Sequence, residues 1–209
     1  MQPTGDCGPS SQPFADQAAQ WAAGARQGDQ RAFEQLARHF WDEVFRMLYY
    51  RVSNQADAED LCQEVFIKAF ARIATLRQPE SVRAWLYGIA LNQSRDFLRK
   101  RRMLSIFKST PQGENPDTAD ESRAGHAGDA ALDAAAARRF RQKLAHFRQS
   151  LPRLQGEVFT LRYMDELTIP EIAQALGRSQ STVKTHLYRA VERFKKSPGL
   201  VRELREVAQ

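Results

Sequence analysis

Only two cysteines occur in the 209 residues, Cys7 and Cys62, and they stand in unrelated contexts. That excludes a disulfide framework and any C-x-x-C metal site. Cys62 falls inside an amphipathic stretch, where a lone cysteine reads as a small buried hydrophobe. No run of about 18 apolar residues appears, so no segment reads as a membrane-spanning helix. The N-terminus lacks the basic region and apolar core of a secretory signal, and a cytoplasmic protein is expected. Missing too are a Gly-rich phosphate loop, a cluster of metal ligands and a nucleophile beside its base. No enzyme activity, catalytic residue, metal, cofactor or small-molecule substrate is therefore expected. Internal repeats and alternating strand patterns are also absent, and the expected fold class is all-α.

What the chain does have is segregated charge. Lys and Arg number 31 against 25 Asp and Glu, a net +6 that favours a polyanionic partner. Arg95, Arg99, Lys100, Arg101 and Arg102 form one basic block; Arg138 to Lys143 and Lys184 to Lys196 form others. Acid collects at Asp57, Glu59, Asp60 and Glu64, and again from Glu114 to Asp133. Two kinds of surface follow, one for nucleic acid and one for a basic protein partner, although some of these charges are simply solvated helix faces.

Apolar spacing divides the chain into two small helical domains, each with a modest core. Residues 1–28, rich in Gln, Ala, Gly, Ser and Pro, read as a flexible N-terminal extension ending in a short helix around Trp21. In residues 29–104, three helices are predicted. The first carries Phe33, Leu36, Phe40, Val44 and Leu48 at helical spacing. The second follows Asn54, with Asp57 as its cap, and fades at Ala74. The third starts at Ser81 after a loop broken by Pro79, runs to about Arg102 and turns Trp85, Leu86, Ile89, Ala90 and Phe97 inward. Residues 105–136 lose all period and read as a flexible linker. Periodicity returns over 137–209.

The sharpest motif runs from Leu167 to Leu187. Thr168 and Glu171 have the T-x-x-E spacing of a capping box, Pro170 falls in the first turn, and Ile172 and Leu176 face inward. Gly177 supplies the turn, and Ser179 caps a second helix. With Val183, Leu187, Ala190 and Phe194 on one side, that helix is expected to expose Thr182, Thr185, His186 and Arg189, with Lys184 beside them. Such a face suits a DNA major groove, where one good bidentate contact discriminates by about 1–3 kcal/mol. The alternative is a helical hairpin with a solvated face.

In the first domain, Asp60 and Glu64 lie one turn apart beside an apolar stripe. A carboxylate pair can serve acid–base chemistry or bind a cation, but there is no partnering His cluster, and an acidic strip for a basic protein surface fits better. Asn92, Arg95, Arg99 and Arg102 follow at i, i+3, i+7 and i+10, a basic stripe expected opposite Trp85, Ile89 and Phe97. Such a stripe can track a phosphate backbone, while Asn can bond an exposed base edge. An ordinary basic solvent face is the alternative.

Taken in order, D-A-E-D-L-x-Q-E-V-F-x-K-A-F, W-L-Y-x-I-A-x-N-x-x-x-D-x-x-R, a linker, L-P-x-L-x-x-x-V-F-x-L-R-Y and the helix-turn-helix resemble an extracytoplasmic-function sigma factor of the sigma-70 family, from about Asp29 to Lys196. The resemblance implies a factor that binds core RNA polymerase and directs promoter-specific initiation in a stress or envelope response. It implies that Asp57, Glu59, Asp60, Gln63 and Glu64 dock on the β′ clamp. The loop from Leu76 to Val82, with Asn92, would receive a flipped base of the −10 element while Arg95, Arg99, Arg101 and Arg102 hold the strands. Thr182, Lys184, Thr185, His186, Tyr188 and Arg189 would read the −35 element, with the outer face of that domain on the β flap. An anti-sigma partner is implied as well.

The two elements lie roughly 85 Å apart at about 34 Å per turn. A free linker of about 30 residues averages only about 30 Å, though it reaches about 100 Å when stretched. The polymerase would therefore hold it extended, with Glu114, Asp117, Asp120 and Glu121 mimicking nascent RNA. Two departures stand out: His186 occupies a place where a permanently charged Arg would read more strongly, and residues 1–28 match nothing in the pattern. An ordinary helix-turn-helix regulator is the competing reading; it would bind duplex tightly by itself and need no polymerase.

Overall fold

The computed structural model describes residues 12–107, 143–144 and 146–200, and among them there is no strand. The chain divides into two units, Met1–Ala119 and Asp120–Gln209. No helix among the described residues is long and apolar enough to cross a membrane.

The first unit is built from α1 (Gln12–Arg26), α2 (Gln30–Val52), α3 (Gln55–Arg72) and α4 (Val82–Phe107). Asp29 starts α2 by accepting from the backbone N–H groups of Arg31 (2.9 Å) and Ala32 (3.2 Å). Ser53 ends it in the left-handed region, at φ 55°. The cap of α3 is Asn54, whose side chain accepts from Asp57 N at 2.9 Å. Asp57, expected as the cap, instead stands in the first turn, where a carboxylate favours the positive end of the helix dipole. Ser81, expected to cap α4, closes the short 3-10 turn Pro79–Ser81, and its hydroxyl donates to Gln78 O at 2.8 Å. With no proline or glycine between Gly88 and Pro111 to stop it, α4 runs on through Phe107, into the stretch expected to begin the linker.

Three helices share the core of this unit. Leu36, Val44, Met47 and Leu48 of α2, Leu61 and Val65 of α3, and Leu86 and Leu91 of α4 are buried. Removing such a side chain from water is worth about 1.5–3 kcal/mol each. Trp41 stacks on Phe66 with ring centroids 5.6 Å apart, and Phe33 meets Phe70 edge-on at 5.0 Å.

The N-terminal extension is corrected by α1. Ala18, Ala22 and Ala25 are buried, α1 packs against α2, and Trp21 sets its ring edge-on to His39. A stripe of alanines gives a faint apolar signal, but its small side chains let two helix backbones approach closely. The corner to α2 closes with Gly28 at φ +93°, its N–H on Ala25 O (3.1 Å) and that of Asp29 on Gly24 O (3.1 Å). Cys7 lies outside the described residues. So do the linker acids Glu114, Asp117, Asp120 and Glu121, and the basic Arg138, Arg139 and Arg141.

The second unit contains helical residues 146–150, then α5 (Arg153–Tyr163), α6 (Ile169–Leu176) and α7 (Gln180–Lys195). Phe147, Phe159 and Phe194 form a triangle of rings with centroids 5.6, 5.5 and 5.7 Å apart, among buried Leu144, Leu151 and Ala190. Gly156 lets α5 approach the preceding helical residues: a Cβ there would meet Arg148 O at 3.0 Å. The capping box at α6 is present, with Thr168 N donating to Glu171 Oε2 (2.8 Å) and Glu171 N to Thr168 Oγ1 (3.4 Å). Gly177 turns the chain at φ +61°, and Ser179 Oγ accepts from Thr182 N (3.2 Å) to begin α7. The result is a helix-turn-helix.

Candidate polymerase and promoter interfaces

Because Leu61, Cys62, Val65, Phe66 and Ala69 turn inward, α3 presents Glu59, Asp60, Gln63 and Glu64 to solvent, with Asp57 half-buried. Three of these acids are engaged within the unit. Glu59 accepts from Gln55 Nε2 (2.9 Å), Glu64 accepts from Gln93 Nε2 (2.6 Å), and Asp57 lies 3.7 Å from Arg101. Gln93, buried on α4, also accepts from Lys68, so one amide ties two charged side chains of α3 to α4. Among the described residues, Asp60 and Gln63 hold no side-chain hydrogen bond or ion pair. The face also continues into apolar residues, Ile67 and Phe70. The helical spacing puts Phe70 on the inner face with Phe66 and Ile73, and the structure corrects this, turning much of its ring to solvent. Asp60, Gln63, Ile67 and Phe70 fall at i, i+3, i+7 and i+10, with Ile67 68% and Phe70 53% exposed. A basic surface with an apolar margin is the partner such a face suits.

On α4, Asn92, Arg99, Arg101 and Arg102 are exposed and Arg95 is half-buried. Trp85 and Ile89 are not core residues opposite this stripe. They are half-buried, and Trp85, Ile89, Asn92 and Arg99 fall at i, i+4, i+7 and i+14, along one line of the helix. The packed side belongs to Leu86, Tyr87, Ala90, Leu91 and Ser94. Counting that spacing would have found the line; the aromatic and aliphatic identities drew these residues into the predicted core. The stripe thus offers a ring, an amide and guanidinium groups in succession, a set that can stack on bases and follow phosphates.

Local partners hold the stripe in order. Arg95 donates to Asn92 Oδ1 (3.3 Å) and Arg99 pairs with Asp96 (3.1 Å). Exposed ion pairs of this kind are worth about 0–1 kcal/mol and exchange readily for a phosphate. Arg101 reaches across to Asp57 of α3, so the structure does not bring it together with the other arginines.

On α7, Ser181, Lys184, Thr185, Tyr188 and Arg189 are exposed, Tyr188 at 67%. Lys184, Tyr188 and Arg189 hold no side-chain hydrogen bond or ion pair among the described residues. Thr185 donates to Ser181 O (2.9 Å), and the Thr182 hydroxyl is shared with Ser179 (2.8 Å), which leaves both as short contacts. His186 departs from the expected outer face. It lies three residues after buried Val183 and four before buried Ala190, is half-buried, and its Nδ1 has no hydrogen-bond partner among the described residues. The exposed Gln180 and Ser181 were not in the predicted set; their place in the first turn after the Ser179 cap is the signal that marks them.

Cys62 takes no part in chemistry here. Burial, with the Asp42 charge adding to it, pushes the thiol up to about 12, and its Sγ lies 3.8 Å from Trp41 O as a weak donor. A neutral thiol of this kind is no nucleophile at pH 7.

The two units match two family models, Sigma-70 region 2 over residues 36–103 and Sigma-70, region 4 over residues 141–194. Among curated proteins, the chain is similar to RNA polymerase sigma factor SigV of Bacillus subtilis, with 30% identity over 72% of this chain and 81% of that one. It is also similar to sigma factor YlaC of the same organism, with 31% identity over 82% of this chain and 95% of that one. The sigma-E factor of Escherichia coli is 28% identical over 80% and 86%. Among solved structures, its fold resembles CnrH in complex with the cytosolic domain of CnrY, with TM-score 0.60 and 24% identity over 86% of this chain and 96% of that one. It also resembles the sigma factor RpoE in complex with the anti-sigma factor NepR from Bartonella quintana, with TM-score 0.58 and 21% identity over 78% and 94%.

Proposed function

Because this chain belongs to the extracytoplasmic-function group of the sigma-70 family of RNA polymerase sigma factors, we propose a division of labour between its two units. The α3 face of Asp57, Glu59, Asp60, Gln63 and Glu64 docks on the β′ clamp of core polymerase, with Ile67 and Phe70 at its margin. The loop of residues 76–82 and Asn92 take the flipped base of the −10 element, and Arg95, Arg99 and Arg102 grip its strands. Arg101 joins them once Asp57 is engaged by polymerase. On α7, Lys184, Thr185, Tyr188 and Arg189 read the −35 element, Thr182 lies at the edge of that contact, and the outer face of the second unit meets the β flap.

The domains are taken as residues 12–107 and 137–209, joined by a linker. Sigma factors are initiation factors, and we assign no catalytic role. The protein works in the cytoplasm beside polymerase, in a stress or envelope response. An anti-sigma partner is assigned by likeness to CnrH and RpoE, both solved with a bound partner.

The observation that carries this reading is the order of the two family matches, region 2 then region 4, each on a unit with an exposed face of matching charge. Run-off transcription of genomic fragments with purified core polymerase, with and without the protein, tests it. New starts sharing two short elements at fixed spacing are expected. No new starts, together with tight duplex binding by the protein alone, would overturn it in favour of an ordinary regulator.

A further inference from the structure

The loop between α3 and α4 is fixed at both ends and open in the middle. Leu76 and Val82 are 1% and 2% exposed, whereas Arg77, Gln78 and Glu80 face solvent. Its own turns are short: Leu76 N donates to Ile73 O (3.0 Å) and Ser81 N to Gln78 O (3.0 Å). Two supports reach it from elsewhere. Helix α1 packs against both 3-10 turns, Ile73–Thr75 and Pro79–Ser81, and Arg26 Nη1 donates to the Arg77 carbonyl at 3.4 Å. From α2, Glu43 Oε1 accepts from Arg83 Nε (2.7 Å) and from the Tyr87 hydroxyl (2.9 Å). The Arg83 guanidinium sits 5.7 Å from the centre of the Tyr87 ring. Arg83 directly follows the buried end of the loop, so this partly buried cluster sets where the loop re-enters the fold.

Resting on the assignment of this loop to the −10 base, we propose that Arg26, Glu43 and Arg83, together with α1, are positioning residues that hold the loop in its base-receiving form before DNA arrives. None of the three belongs to the acidic docking face or to a reading stripe. A pocket formed in advance has little ordering cost on binding, and only a pocket of fixed shape rejects the wrong base; a loose one adapts to it. Weakening the supports therefore lowers discrimination between bases while leaving polymerase docking alone.

The test uses holoenzyme assembled from the full chain and core polymerase, binding fork-junction DNA whose single-stranded −10 segment carries each base in turn at each position. Wild type is expected to prefer one base by about tenfold at one or more positions. Arg26→Ala, at the exposed end of α1, and Glu43→Gln are each expected to cut that preference by about threefold or more, with core affinity and −35 duplex binding within about twofold of wild type. Arg26→Lys keeps a donor and is expected to retain most of the preference. Thermal unfolding is followed in parallel. A variant that unfolds earlier yet keeps its base preference, or that loses affinity equally for all four bases, would overturn the proposal. If wild type shows no preference at any −10 position, the loop assignment itself fails.

Discussion

Arg189 and His186 stand three residues apart on α7 and separate what a reading side chain needs from what a packed one needs. Arg189 is exposed and unpaired among the described residues, so its loss removes a contact without disturbing the helix. Arg189→Ala is expected to weaken −35-dependent initiation about tenfold or more, measured on promoters with and without that element. His186 is half-buried, and its buried Nδ1 has no hydrogen-bond partner among the described residues, a state that costs stability. His186→Leu is expected to leave duplex affinity within about threefold and to leave the melting temperature of the second unit unchanged or raise it. A loss as large as that of Arg189→Ala would return His186 to the reading set.

Cys62 gives a pH prediction. Its folded thiol lies at about 12, above the ordinary 9.0, so the neutral form belongs to the folded state. The stability it contributes is fully present below pH 9.0 and is lost as the pH rises toward about 12. In a Cys7→Ser background, a thiol reagent at pH 8 is expected to label the folded chain far more slowly than the chain in denaturant. Equal rates would refute the buried, neutral thiol.

At the scale of the element, local sequence wrote the helix-turn-helix nearly complete. The Thr168–Glu171 box, Pro170, Gly177 and Ser179 are short-range devices whose effect depends on neighbours within four residues. Thr168→Ala is expected to cost about 1 kcal/mol, read as a lower melting temperature. The packing of α5 is different in kind, because Gly156 is required by a carbonyl from the preceding helical residues. Gly156→Ala is expected to destabilise the second unit by about 1–3 kcal/mol, since backbone must move to admit the methyl group. Nothing in the local sequence around Gly156 announces that approach. The Asn54 cap of α3 and the alanine stripe of α1 were missed for related reasons: the cap has a stronger-looking competitor in Asp57, and alanine buries little area per residue.

At the scale of the whole molecule, each unit has a core of its own, and the proposed partners divide the same way. Asp60→Arg is expected to weaken core polymerase binding about tenfold or more before any DNA is present, because it reverses charge where no partner among the described residues compensates. Unchanged core affinity would remove the acidic face from the docking surface. A cleavage site engineered within residues 108–142 is expected to release two fragments that keep their helical circular dichroism. Binding to the β′ clamp should stay with the first fragment, and binding to the β flap and the −35 duplex with the second.

Periodicity and punctuation in the amino-acid sequence were sufficient for the all-α class, the main helices and the helix-turn-helix, because those depend on spacings of three and four residues and on caps; the family was legible only as a resemblance carried by several motifs in order. Tertiary structure alone decided which way the half-polar faces turn. It drew Asp57 and Arg101 together from two predicted sites, set Trp85 and Ile89 in line with Asn92, left His186 half-buried and laid α1 against the loop of residues 76–82. Each of these rests on contacts between residues distant in sequence or on the choice of buried face, and an apolar residue or a charge reads the same in a sequence whichever side of its helix the fold covers.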